Sequence, residues 1–102
     1  MIHTSLQGYI EATYDELLSV FGEPIHVPMG EGDGKVATIW EFEGFNLVGE
    51  ETPITIYDWK DYDGGEKSRS GLPYEWHIGG SEFCAVSIVT QRVIDYRNKF
   101  SY

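Results

Sequence analysis

The stretch Tyr74-Glu75-Trp76-His77-Ile78-Gly79-Gly80-Ser81-Glu82 reads as a strand that passes through a tight Gly-Gly turn into a capped helix. Aromatic and β-branched residues favour extended backbone, paired glycines suit a sharp turn, and a serine followed by an acid suits a helix start. Period-two alternation places Tyr74, Trp76 and Ile78 on one side of that strand, with Glu75 and His77 on the other. A strand feeding a helix in this way sets the architecture, because the helix must return to cover the apolar side.

Working outward, Ser81 is placed as the cap of a final helix that runs to about Asn98. Val86, Val89, Val93, Tyr96 and Phe100 recur at steps of three and four and form an apolar stripe. Glu82 lies near the positive end of that helix, and Arg92, Arg97 and Lys99 lie toward its negative end. Upstream, Lys35 to Phe45, Pro53 to Tyr62 and Leu72 to Ile78 read as strands. Their connectors, Asn46 to Glu51 and the glycine-rich Asp63 to Gly71, are short enough for an antiparallel meander.

Nearer the start, a strand around Leu6 to Ile10, weakened by Gly8, precedes Thr13-Tyr14-Asp15-Glu16, which has capping-box spacing. Tyr14, Leu17, Leu18 and Phe21 follow at helical spacing, and Gly22 with Pro24 ends that helix. Glu23 to Gly34 reads as a loop. The order β-α-β-β-β-α predicts one α+β domain over residues 1–102, with an antiparallel sheet of about four strands and both helices on one face.

The same alternation sets Ile54 and Ile56 against Thr55, Tyr57 and Trp59, and Val36, Trp40 and Phe42 against Ile39, Glu41 and Glu43. With the apolar sets under the helices, the other face should carry Glu41, Glu43, Tyr57, Trp59, Glu75 and His77.

Composition narrows the function classes. The 102 residues suit one domain with a working core. The single Cys84 cannot form an internal disulfide, so a reduced, cytoplasmic setting is expected. No export signal and no membrane-spanning apolar run are read in the chain. The formal net charge is -10, with acids concentrated between Glu23 and Glu66. Such a surface repels phosphate backbones, so direct nucleic-acid binding is not expected; it reads as a solvated, solubility-promoting face or as one that attracts a basic protein groove.

Four constellations carry possible chemistry. Gly79, Gly80 and Ser81 would present free amides to a phosphate or carboxylate if they form a turn at a helix start, with Trp59 or Tyr57 stacking on a base. Lys60, Lys67 and Arg69 would have to reverse the local sign of charge for such a nucleotide-like ligand. His77 beside Glu75 reads as a surface histidine next to an acid, with an oriented general base as the alternative. Asp58, Asp61 and Asp63 form an acidic cluster without calcium-loop spacing, and solvated turn acids are the expected reading. No cofactor or metal is expected. The three Trp, seven Tyr and five Phe fit either an anchoring surface or a compact domain that fills a thin core with large side chains.

The strings Leu6-Gln7-Gly8-Tyr9-Ile10-x-Ala12-Thr13, Phe21-Gly22-Glu23-Pro24, Thr55-Ile56-Tyr57-Asp58-Trp59-Lys60 and Trp76-His77-Ile78-Gly79-Gly80 resemble a widespread family of small proteins encoded by bacteriophages and prophages. The helix ending in Phe21-Gly22-Glu23-Pro24 before Trp-bearing strands is also similar to the helix-then-sheet units of β-lactamase-inhibitor-like and outer-membrane assembly lipoprotein domains, which implies sheet architecture only. The phage resemblance implies a protein that acts by binding inside the host cell, antagonising a defence system through its acidic aromatic surface. Sequestering a nucleotide-like signal and a small His/Glu-dependent hydrolase are the alternatives. An exposed sheet edge or the aromatic face could also support a homo-oligomer.

Overall fold

The computed structural model of the chain describes residues 5–26, 38–59 and 68–99. Its elements are β1 (Ser5–Ala12), α1 (Tyr14–Phe21), β2 (Ile25–His26), β3 (Thr38–Phe45), β4 (Glu51–Tyr57), β5 (Tyr74–Gly80) and α2 (Cys84–Lys99). The strands form one sheet in the order β1-β5-β4-β3-β2, and every neighbouring pair is antiparallel. The fold is therefore α+β, a single antiparallel sheet with two helices. The thinnest principal extent, 20 Å, matches one helical layer on one sheet.

The fifth strand lies in the segment expected as a loop. Directly after Pro24, Ile25 pairs with Ile39 and His26 with Thr38, so two residues suffice to extend the sheet at that edge. Positions 27–34 of the same segment, like Val36, Lys60, Asp61, Asp63, Lys67 and Phe100, lie outside the described residues.

Helix α1 forms as its spacing predicts. Thr13 Oγ1 accepts from the Glu16 amide at 3.1 Å while Glu16 Oε1 accepts from the Thr13 amide at 2.9 Å, closing the capping box. Gly22 ends the helix at φ 84°, and its amide donates to the Leu18 carbonyl at 2.9 Å. Leu17 is fully buried, and Tyr14 and Phe21 pack on the same core, with Phe21 stacked on Phe42 at 4.9 Å.

The core lies between the helices and the face carrying Ala12, Trp40, Ile54, Ile56, Trp76 and Ile78, covered by Leu17 of α1 and Ala85, Val89 and Val93 of α2. Fully burying one of the leucine, isoleucine or valine side chains among these contributes about 1.5–3 kcal/mol. The close seating of α2 depends on Gly80. A Cβ there would lie 2.9 Å from Ala85 Cβ and 3.2 Å from the Pro53 carbonyl oxygen. At the far end, Arg97 Nε meets Glu16 Oε2 at 2.7 Å, and its guanidinium also donates to the Glu11 carbonyl at 2.9 Å, fastening α2 to the start of α1.

Two boundaries are corrected at the opening stretch. Gly79 and Gly80 are not a turn but the end of β5, paired with Leu6 and Ser5 of β1 on one side and with Thr55 and Ile54 of β4 on the other. Helix α2 starts at Cys84, so Ser81 is not its cap. At Gly80 the reason is tertiary: a small residue is needed where the sheet runs beneath α2, and the ladder pairing on both sides outweighs the local turn preference of paired glycines.

Asp58 is a further correction. It is fully buried rather than a solvated turn acid. Its Oδ1 accepts from the Thr38 amide at 3.0 Å and its Oδ2 from Ser68 Oγ at 2.9 Å, which pins the start of β3 to the segment leading into β5.

Candidate functional site

On the side of the sheet away from the helices, the register aligns one residue from each of the five strands in a transverse row: Tyr9, His77, Tyr57, Ile39 and Ile25. His77 is the centre of a ring cluster within that row. Tyr9 meets it edge-on at 4.9 Å and 72°, Tyr57 lies at 5.4 Å, and Trp59 at 5.8 Å. Tyr57 and Trp59 are themselves edge to face at 6.3 Å and 70°. Tyr9 is 50% exposed and Trp59 38% exposed, so the cluster presents ring surface to solvent. Among the described residues no helix packs on this side.

Each side chain arrives here for a local reason. His77 and Tyr57 are directly cross-paired on adjacent strands, and direct opposition brings side chains into contact. Tyr9 is cross-paired to His77 from the other side, on β1, where a register shift between Leu6 and Gly8 sets the phase of the strand. Gln7, at that irregularity, donates through Nε2 to the Gly80 carbonyl at 2.9 Å. Trp59 lies just beyond β4, where its amide donates to the Tyr74 hydroxyl at 3.2 Å.

The electrostatics of the cluster are those of neutral rings beside carboxylates. Burial pushes the His77 imidazole below its ordinary value, opposed by the charge of Glu75. Burial, then the neighbouring Tyr9, pushes the Tyr57 phenol up. Glu75 follows the same strand face two residues away, and Glu41 and Glu43 share that side on β3. The Glu43 carboxyl is raised by its hydrogen bond to the Glu51 carboxyl and by that group's charge. Neutral rings rimmed by carboxylates suit the flat, cationic side chains of another protein, which can stack on the rings and pair with the acids.

The predicted site residues divide between places. Glu41, Tyr57, Trp59, Glu75 and His77 share one face. Gly79, Gly80 and Ser81 do not form the free-amide cradle, since both glycines are buried strand residues within the ladder and Ser81 is exposed ahead of the helix. Arg69 is not brought to the cluster: its guanidinium lies 3.2 Å from His26 Nδ1. Lys67 lies outside the described residues. His77 Nδ1 is buried without a hydrogen-bond partner, so Glu75 does not orient the imidazole through that atom as a catalytic pair would require. Among the described residues no group of His, Cys, Asp and Glu is arranged to hold a metal, and no helix is long and apolar enough to cross a membrane.

Sequence reasoning missed Tyr9, whose place depends on which strand β1 joins. Its alternation with Gly8 and Ile10 was readable, but the β1–β5 pairing was not. Comparison of the chain with protein-family models, with curated proteins and with solved structures finds no match.

Proposed function

We propose that the chain is a non-enzymatic binding protein that docks its acidic aromatic face on a basic surface of a partner protein. The observation that carries this reading is the half-exposed ring cluster of Tyr9, Tyr57 and Trp59 around His77, flanked by Glu41 and Glu75. Aromatic rings at the centre of a patch supply contact area with little rotamer entropy to lose, and the carboxylates choose the sign of the partner. The sequence resemblance to phage-encoded proteins supplies the biological setting: the partner is a host protein, and docking antagonises a host defence system.

The test uses the tagged full chain as bait in a bacterial lysate, beside Trp59→Ala and Glu75→Lys. A partner captured by the parent chain, lost with each variant and released at about 0.5 M salt supports the reading. Capture that is indifferent to both substitutions and to salt overturns it. The biological setting is tested separately by whether expression of the parent chain, and not of Trp59→Ala, restores phage growth on a defended host.

A further inference from the structure

The β3–β4 hairpin breaks the usual chemistry of its turn. The Gly49 amide donates to the Asn46 carbonyl at 3.0 Å, the Asn46 amide donates to the Glu50 carbonyl at 2.9 Å, and Gly49 sits at φ 82°. Asn46 Oδ1 accepts from the amides of Val48 at 3.1 Å and Glu50 at 2.9 Å. Asn46 and Gly49 therefore meet the conformational demands of the turn, and the two positions between them are free to be polar, as turn residues commonly are. They are Leu47 and Val48 instead, 99% and 75% exposed.

A second turn stands beside the first. Asn46 Nδ2 donates to both carboxylate oxygens of Glu82, at 3.1 and 3.3 Å, tying the hairpin tip to the segment between β5 and α2. That segment presents Phe83, 70% exposed. Between the two turns is a recess of about 420 Å³ lined by Leu47, Val48, Glu82, Phe83, Cys84 and Ser87. Apolar side chains held out on a braced scaffold, where the fold gains nothing from their being apolar, mark an interaction site.

Charge selects the occupant. Glu82 lines the recess, on a chain of formal net charge -10. A second copy would bring Glu82 against Glu82 on two chains of that charge, and an anionic bilayer would be repelled. We propose that this recess docks a basic amphipathic segment of another protein, with an aliphatic or aromatic side chain entering between Leu47, Val48 and Phe83 and a flanking lysine or arginine meeting Glu82. It lies at the opposite end of β4 from Tyr57 and does not rest on the function proposed for the ring cluster.

The probe is a synthetic amphipathic peptide patterned in leucine and lysine, titrated into the isotope-labelled full chain and followed by amide chemical shifts. Shifts centred on Leu47, Val48, Phe83 and Cys84 are expected. Affinity should fall about tenfold or more in Leu47→Ser and Phe83→Ser, fall with salt, and stay unchanged in Trp59→Ala. Both truncated side chains are solvent-exposed, and unchanged melting curves confirm that the variants fold. Equal affinity in those variants, or shifts centred on Tyr57 and His77, overturns the proposal. So does self-association abolished by Leu47→Ser, which assigns the recess to a second copy. Co-sedimentation with anionic phosphatidylglycerol vesicles, lost in Phe83→Ser, assigns it to lipid and also overturns the proposal.

Discussion

The indoles of Trp40 and Trp76 meet edge to face at 5.3 Å, and each donates its N–H to one end of α1: Trp76 to the Ala12 carbonyl at 2.9 Å, Trp40 to the Gly22 carbonyl at 2.8 Å. Two adjacent core rings thus set the position of a short helix that could not hold its shape alone. The helix in turn carries the chain from β1 at one edge of the sheet toward β2 at the other.

Trp76→Phe is expected to cost more than Trp40→Phe. The Trp76 bond to Ala12 is buried, so removing the indole N–H strands a carbonyl at about 1–3 kcal/mol beyond the loss of ring volume. Gly22 is exposed, and water can replace the Trp40 donor. Urea denaturation of the two variants measures the order, and a larger loss for Trp40→Phe contradicts the argument.

Gly80→Ala should destabilise by about 1–3 kcal/mol, since its methyl group must displace Ala85 Cβ or the Pro53 carbonyl, both backbone-fixed. Gly44→Ala should cost less. Its new methyl group meets the Cδ1 ends of Ile54 and Ile88, which can swing aside. Thermal denaturation of both variants tests the ranking.

Stability should depend on pH in two separate windows. Burial lowers the affinity of His77 for a proton, so the unfolded chain protonates first as pH falls below the ordinary value of 6.5, and the folded chain loses stability from there downward. The Arg97 hydrogen bond to Glu16 lowers that carboxyl, so its contribution is complete above the ordinary 4.5 and is lost as pH falls through the lowered folded value. His77→Phe should flatten the upper window alone and Arg97→Gln the lower alone, read as melting temperature against pH.

Asp58→Ala should cost about 1–3 kcal/mol, because the Thr38 amide and Ser68 hydroxyl lose a buried acceptor. Amide hydrogen exchange should accelerate first at Thr38 and at its neighbours in β3. Exchange that quickens equally in β1 would show that the residue supports the whole sheet instead.

What could be read ahead of the structure follows from local periodicity. The capping box at Thr13 and Glu16 and the helix of Tyr14, Leu17 and Phe21 depend on contacts within a few residues, and the structure contains them. The two faces of β4 and β5 were legible because Ile54, Ile56, Trp76 and Ile78 alternate with polar or amphipathic neighbours. The β2 strand was not legible, since two residues after a proline carry no period. Asp58 was misread because its partners, Thr38 and Ser68, are distant in sequence.

By itself, then, the sequence determined the two helices and the four longer strands, the α+β class and the sidedness of the central strands, all of which are encoded in steps of two or of three and four residues. Only the tertiary structure decided that Gly79 and Gly80 continue a strand, that Tyr9 joins His77, and that the Leu47 turn stands beside Phe83. Those outcomes depend on which strands pair and where α2 crosses them. Pairing and crossing are set by the simultaneous packing of segments far apart in the chain, and no local pattern contains that information.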